Sequence, residues 1–104
     1  MIARIWRGVV AAEDTAAYAT YVTGTGIKEY GETPGNRGAW LLTREEGDRT
    51  EFLAFSLWDD MDAVKAFAGD DPEQAHYYPE DDRYLLEKEP KVVHYTVAAD
   101  AAEL

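Results

Sequence analysis

The sequence predicts a single α+β domain with the element order β-α-β-β-α-β, on three observations. Strand-like runs rich in β-branched and aromatic residues recur at 2–10, 37–45, 51–58 and 91–97. The middle two flank a tight polar turn, and stretches with helical spacing of apolar residues lie between the first two strands and between the last two. This order is the ferredoxin-like split βαβ arrangement, with two helices on one face of a four-stranded antiparallel sheet. The chain has 104 residues, which fits one domain over 1–104 with a core at about 2–97 and a short tail at 98–104.

The first strand (IARIWRGVV) has the faces Ile2, Arg4, Trp6, Gly8, Val10 and Ala3, Ile5, Arg7, Val9. Both carry apolar groups, whereas a strand with one solvated face alternates apolar and polar. Ala11-Ala12-Glu13-Asp14-Thr15 then opens a helix, capped by Asp14 or Thr15, whose inward stripe is Tyr18, Tyr21, Val22 and Thr25. Gly24 and Gly26 are expected to break it, with a further turn at Ile27-Lys28-Glu29-Tyr30 and a loop at Glu32-Thr33-Pro34-Gly35-Asn36. Strands 37–45 and 51–58 flank Glu46-Gly47-Asp48-Arg49, a β-hairpin signature.

The third strand again has two apolar faces: Phe52, Ala54, Ser56, Trp58 against Leu53, Phe55, Leu57. Asp59 or Asp60 caps the next helix, with Met61, Val64, Phe67 and Ala68 inward and Gly69 ending it. Residues 70–90 read as an acidic stretch with short helical turns at 72–77 and 80–87, before the final strand at 91–97. Two helices cover one sheet face and nothing in a single chain covers the other. An apolar face of that size exceeds what soluble monomers expose, so the pattern predicts a homodimer paired sheet to sheet.

Charge narrows the function classes. With 21 acidic and 10 basic residues the chain carries a net −11, which repels phosphate backbones and anionic lipid, so neither nucleic acid nor membrane is an expected partner. The absence of cysteine removes disulfides and thiolate metal sites. With no signal-like or spanning run, the cytoplasm is the expected location.

The sequence resembles the antibiotic biosynthesis monooxygenase family of dimeric α/β barrels over about residues 2–97. The resemblance lies in Ala3-Arg4-Ile5-Trp6, in Thr33-Pro34-Gly35-Asn36-Arg37-Gly38, and in Phe55-Ser56-Leu57-Trp58 running into Asp59-Asp60-Met61-Asp62-Ala63-Val64-Lys65-Ala66-Phe67. It implies the dimeric barrel and an oxidoreductase that converts a planar phenolic or quinol-type, polyketide-like substrate with O2, without a cofactor. Similar proteins also include haem-degrading enzymes. That branch keeps its iron ligand where His76 stands, but has Trp where this chain has Phe67, and Asn where the first strand offers Trp6 or Arg7. Haem is therefore disfavoured.

Oxygenation driven by the substrate's own electrons needs a deprotonated or hydrogen-bonded phenol, a dry apolar pocket and donors for developing oxyanion charge. His76, Tyr77 and Tyr78 form the catalytic candidate: a histidine is the natural base near neutral pH, and tyrosine hydroxyls hold a phenolate. The alternative is a loop anchored by aromatic plugs. Trp6, Trp58 and Phe67 are read as aromatic wall for a substrate, against core or interface filling, with Trp40 divided between the same roles. Arg4 or Arg7 is a cation among apolar strand residues, suited to an anionic ligand or a salt bridge. Asn36, with Arg37 beside it, and His94 complete the substrate-binding set, each with a structural alternative in turn capping or hydrogen bonding. Glu80-Asp81-Asp82 reads as the acidic first turn of a helix, not as a metal site. A binding module for a hydrophobic ligand or haem is the second reading of the same pocket.

Overall fold

β1 (Ile2–Ala11) is the central strand, and every other element is placed relative to it. The computed structural model describes residues 1–75 and 77–101. On one edge β1 pairs antiparallel with β3 (Arg49–Trp58), which pairs with β2 (Asn36–Glu46). On the other edge lie two short segments, β4 (Leu85–Lys88) against Gly8–Val10 and β5 (Val93–Thr96) against Ile2–Ile5. The sheet therefore has five strands in four positions, because the last position is shared by two segments. It is open in the single chain. Of the helical turns expected at 72–77 and 80–87, only α4 (Asp81–Tyr84) is helical among the described residues, and Leu85–Lys88 are strand. Leu85 faces Val10 across a bulge in the β1 pairing, so extended backbone lets it pack on the core.

The β2–β3 hairpin closes on two residues, Gly47 and Asp48. Gly47 has φ 61° and no described non-glycine residue has positive φ, the pattern of a type II′ turn matched to strand twist.

After β1 a 3-10 turn (Ala12–Asp14) leads into α1 (Thr15–Val22). Asp14 makes no side-chain cap bond. Thr15 instead donates to the Ala12 carbonyl at 2.9 Å and meets Thr50 Oγ1 at 2.7 Å, tying the helix start to β3. The glycines do not end this helix. A π-helical turn, Thr23–Ile27, absorbs Gly24 and Gly26 and runs directly into α2 (Lys28–Glu32). Thr23 and Thr25 hydroxyls donate to the carbonyls four residues back, at 2.7 and 2.9 Å, side-chain bonds of the kind that bend a helix. α3 (Met61–Ala68) starts as expected, with Asp60 accepting from the Ala63 N–H at 2.9 Å.

The helices cover the face bearing Trp6, Val10, Phe52, Ala54 and Trp58, which form one core with Tyr18, Val22, Tyr30 and Val64. No described helix is long and apolar enough to cross a membrane.

Candidate active site

Between this sheet face and the helices lies a cavity of about 50 Å³, lined by Arg4, Trp6, Tyr18, Tyr30, Phe67, Tyr77, Tyr78 and Asp81 among others. It is filled largely by its own aromatic walls; the volume equals one or two waters. Thr25 and Gly26 of the π-helical turn form part of the rim, and π-bulges recur at functional sites.

Trp6 reaches this cavity because Gly8 follows it on the same strand face: a Cβ at Gly8 would overlap the Trp6 ring. The indole N–H donates to the Tyr77 hydroxyl at 3.1 Å, and the Tyr77 hydroxyl donates to the Glu89 carbonyl. Tyr77 thus links the loop to both β1 and the segment after β4. Burial raises its pKa, against the opposing hydrogen bond from Trp6. The Tyr78 hydroxyl donates to Glu29 on α2, and burial together with that carboxylate pushes its pKa well up. Both tyrosines stay neutral at ordinary pH. His76 lies outside the described residues.

The most buried polar pair of the cavity is one the sequence did not single out. Tyr18 is 1 % exposed and its hydroxyl donates to Asp81 Oδ1 at 3.0 Å; Asp81 Oδ2 accepts the Tyr78 backbone N–H at 2.6 Å. Burial first, and then the Asp81 charge, raise the Tyr18 pKa far above its ordinary value. Its only proton is committed to Asp81, so its oxygen faces any ligand as an acceptor, made more electron-rich by the carboxylate behind it. Tyr18 reads from sequence as helix core, and Asp81 as a helix-start acid. Their partnership spans 63 residues and has no local signature.

Arg4 is also 1 % exposed. Nη1 donates to the Pro72 carbonyl at 2.6 Å and lies 3.0 Å from His94 Nε2. Since arginine has no acceptor, this contact makes His94 Nε2 the acceptor and puts the ring proton on Nδ1. Burial, and next the Arg4 charge, hold the His94 pKa below its ordinary value, with Glu73 opposing. His94 thus stands beside Arg4 and not among the lining residues.

The remaining predicted residues separate. Phe67 lines the cavity and lies under the Arg4 guanidinium, 5.7 Å from ring centroid to Cζ. Trp58 is fully buried behind the lining, 5.8 Å from Tyr30 and 5.9 Å from Phe67 by ring centroids, with its N–H on Ser56 Oγ. It supports the wall without forming it. Asn36 is apart from the cavity: its side chain bonds Gly38 and the Leu57 carbonyl at the start of β2. Arg37 pairs with Asp59, and Arg7 with Glu51 at 2.7 Å on the opposite sheet face.

No family model and no curated protein matches the sequence. Solved structures do. A protein of Bacillus cereus named for antibiotic biosynthesis monooxygenase activity superposes with a TM-score of 0.70 over 98% of this chain and 97% of its own, at 14% identity. The chain has the fold of the antibiotic biosynthesis monooxygenases. A monooxygenase of Streptomyces coelicolor in complex with nanaomycin D is similar over 99% of this chain and 90% of its own, at 20% identity and TM-score 0.60. The haem-degrader MhuD from Mycobacterium tuberculosis, with two haems in its active site, is similar over 98% of this chain and 100% of its own, at 14% identity and TM-score 0.62. At these identities the likeness is one of fold.

Proposed function

We propose that the chain is a small monooxygenase-like enzyme that binds a planar phenolic or quinol-type substrate in the cavity under the helices and works as a homodimer. The observation that carries this reading is the buried Tyr18–Asp81 pair in an aromatic-walled cavity, within a fold that in another protein holds nanaomycin D. A phenolic hydroxyl donating to the Tyr18 oxygen would find a proton path already built, because Tyr18 donates onward to Asp81. His76, adjacent in sequence to the cavity-lining Tyr77, is the further base nominated by the sequence.

An anthrone-type ring illustrates the balance. Its CH2 group becomes C=O, one oxygen atom of O2 entering the product and the other leaving as water, with all four electrons drawn from the substrate. No cofactor takes part in that balance. The protein's tasks are to hold the phenol as a hydrogen-bonded anion and to keep the ring dry. The cavity must widen to admit such a ring, and the glycine-bearing π-helical turn and the Tyr77–Tyr78 segment are the walls placed to give.

The other sheet face supports the dimer reading. There Val93, Ile5, Phe55 and Trp40 stand in one cross-strand row, beside Tyr95, Ala3 and Leu57. Trp40, Leu42, Val93 and Tyr95 are 40–56 % exposed. Covering this face with a second copy buries it in the way the helices bury the first.

The test is oxygen consumption with an anthrone or quinol. The wild-type chain should consume O2 in proportion to quinone formed, and Tyr18→Phe and His76→Ala should each lower turnover at least about a hundredfold, the low end for loss of one acid–base group. Wild-type protein that binds the ring but consumes no oxygen would support the binding-module reading instead.

A further inference from the structure

Arg4 is a buried cation that no anion meets among the described residues. None of the ion pairs among the described residues includes it, although the chain has 21 acids. Arg7, three positions along and on the opposite face, takes both Glu51 and Glu89. Asp81, the acid sharing the cavity with Arg4, has one oxygen engaged by Tyr18 and the other by the Tyr78 N–H. The hydrogen bonds of Arg4 both leave from Nη1, toward a backbone carbonyl and a neutral imidazole. Nε is buried and has no hydrogen-bond partner among the described residues.

A guanidinium does not shed its proton, so its charge cannot be relieved by titration. An uncompensated charge in such a place is costly unless something outside the chain completes it. Nε and Nη2 share one edge of the planar group, and two parallel N–H donors on that edge match the two oxygens of a carboxylate. The surrounding wall is aromatic and aliphatic, with Trp6, Tyr30, Phe67, Val22 and Val92.

The geometry points to an aromatic carboxylate as the ligand class, its carboxylate on the Nε–Nη2 edge of Arg4 and its ring against Trp6, Tyr30 and Phe67. His94 is then a positioning residue, holding Nη1 so that the free edge stays turned away from Pro72 and from itself. This inference rests on the reading of the cavity as the substrate site and narrows it: the phenolic substrate carries an acid group.

Titration of the full chain with benzoate and with benzamide, its uncharged counterpart, tests it, followed by tryptophan fluorescence and thermal unfolding. Benzoate should bind about tenfold or more tightly than benzamide, the discrimination given by one charge-assisted bidentate contact. Arg4→Gln should erase that preference and Arg4→Lys, which keeps the charge but not the fork, should keep only part of it. Equal affinities in the wild-type chain, or no binding of benzoate, overturn the inference. That comparison needs no variant, so it decides the matter even if Arg4→Gln does not fold. Oxygen uptake separates the two readings. Turnover of an uncharged anthrone without benzoate preference sinks the carboxylate site alone, whereas benzoate preference with no oxygen consumed on any phenolic substrate sinks the monooxygenase reading alone.

Discussion

The two faces of the one sheet are made of similar residues and meet opposite surroundings. On the covered face Trp6, Phe52 and Trp58 are at most 9 % exposed and pack under α1, α2 and α3; on the other, Trp40 and Leu42 are 40 and 46 % exposed. Even the local device is shared. Trp6 lies over Gly8, and Trp40 lies over Gly38, each ring filling the place of the missing Cβ two residues away. The covered face differs in its polar groups. Arg4, Ser56, Thr50 and the Tyr18–Asp81 pair are buried there, whereas Arg7, Arg44 and Glu51 on the open face form salt bridges at its margin. On the function proposed above, buried polarity without solvent suits the covered face to chemistry, and an apolar field with charges at its rim suits the open one to assembly.

The largest expected effect separates the faces by stability. Trp58→Ala should cost about 3–5 kcal/mol in denaturant unfolding, since a fully buried ring is lost from a packed wall. Trp40→Ala, measured at protein concentrations low enough for the monomer, should cost no more than about 1 kcal/mol. Equal losses would erase the distinction between the two faces. Next in size, Phe55→Glu should weaken self-association by about thirtyfold or more, as expected for an aromatic at the centre of an interface. Sedimentation velocity reads this as a shift from dimer to monomer with the circular dichroism spectrum unchanged. A wild-type chain that sediments as a monomer at every concentration removes assembly from the account.

A smaller effect probes the buried polar pair. Tyr18→Phe leaves Asp81 short of one donor and should destabilise the fold by about 1–3 kcal/mol, while Tyr78→Phe, at a hydroxyl held by a carboxylate on the exposed side of α2, should cost less. The smallest effect is one of pH. The folded-state pKa of His94 lies below its ordinary value of 6.5, so between those two values the unfolded chain binds the extra proton. The contribution is therefore complete above about pH 6.5 and is lost as pH falls through it. Unfolding midpoints should decline on acidification through that window, and His94→Gln should flatten the decline. A midpoint in the wild-type chain that rises there contradicts the neutral His94 beside Arg4.

Much of the fold was legible because its signals are local. The hairpin turn needs glycine at one position, the strands alternate, and Asp60 caps α3 within a single turn. Where a local signal competed with its neighbours, it misled. Gly24 and Gly26 announce a helix end, yet the backbone passes through them as a π-helical turn that runs into α2. Leu85-Leu86-Glu87-Lys88 suits a helix by composition and is drawn into the sheet by the open edge of β1. The candidate site was half legible. Trp6, Phe67, Tyr77, Tyr78 and Arg4 stand out as chemistry-bearing residues on strands, a helix and a loop, and they meet at the cavity. Asp81 does not stand out among so many acids, because what distinguishes it is the tyrosine it meets from another helix.

β1 carries both faces in adjacent residues: Arg4 and Trp6 turn inward, and Ala3 and Ile5 turn outward. With partners on both edges, it has no free side along which to slip. A one-residue slip of this strand against its neighbours would exchange the two sets, turning a guanidinium to the open face and an isoleucine to the cavity. Register along this one strand thus fixes the composition of both faces at once, and substitutions on either face are tolerated far more readily than a shift in pairing.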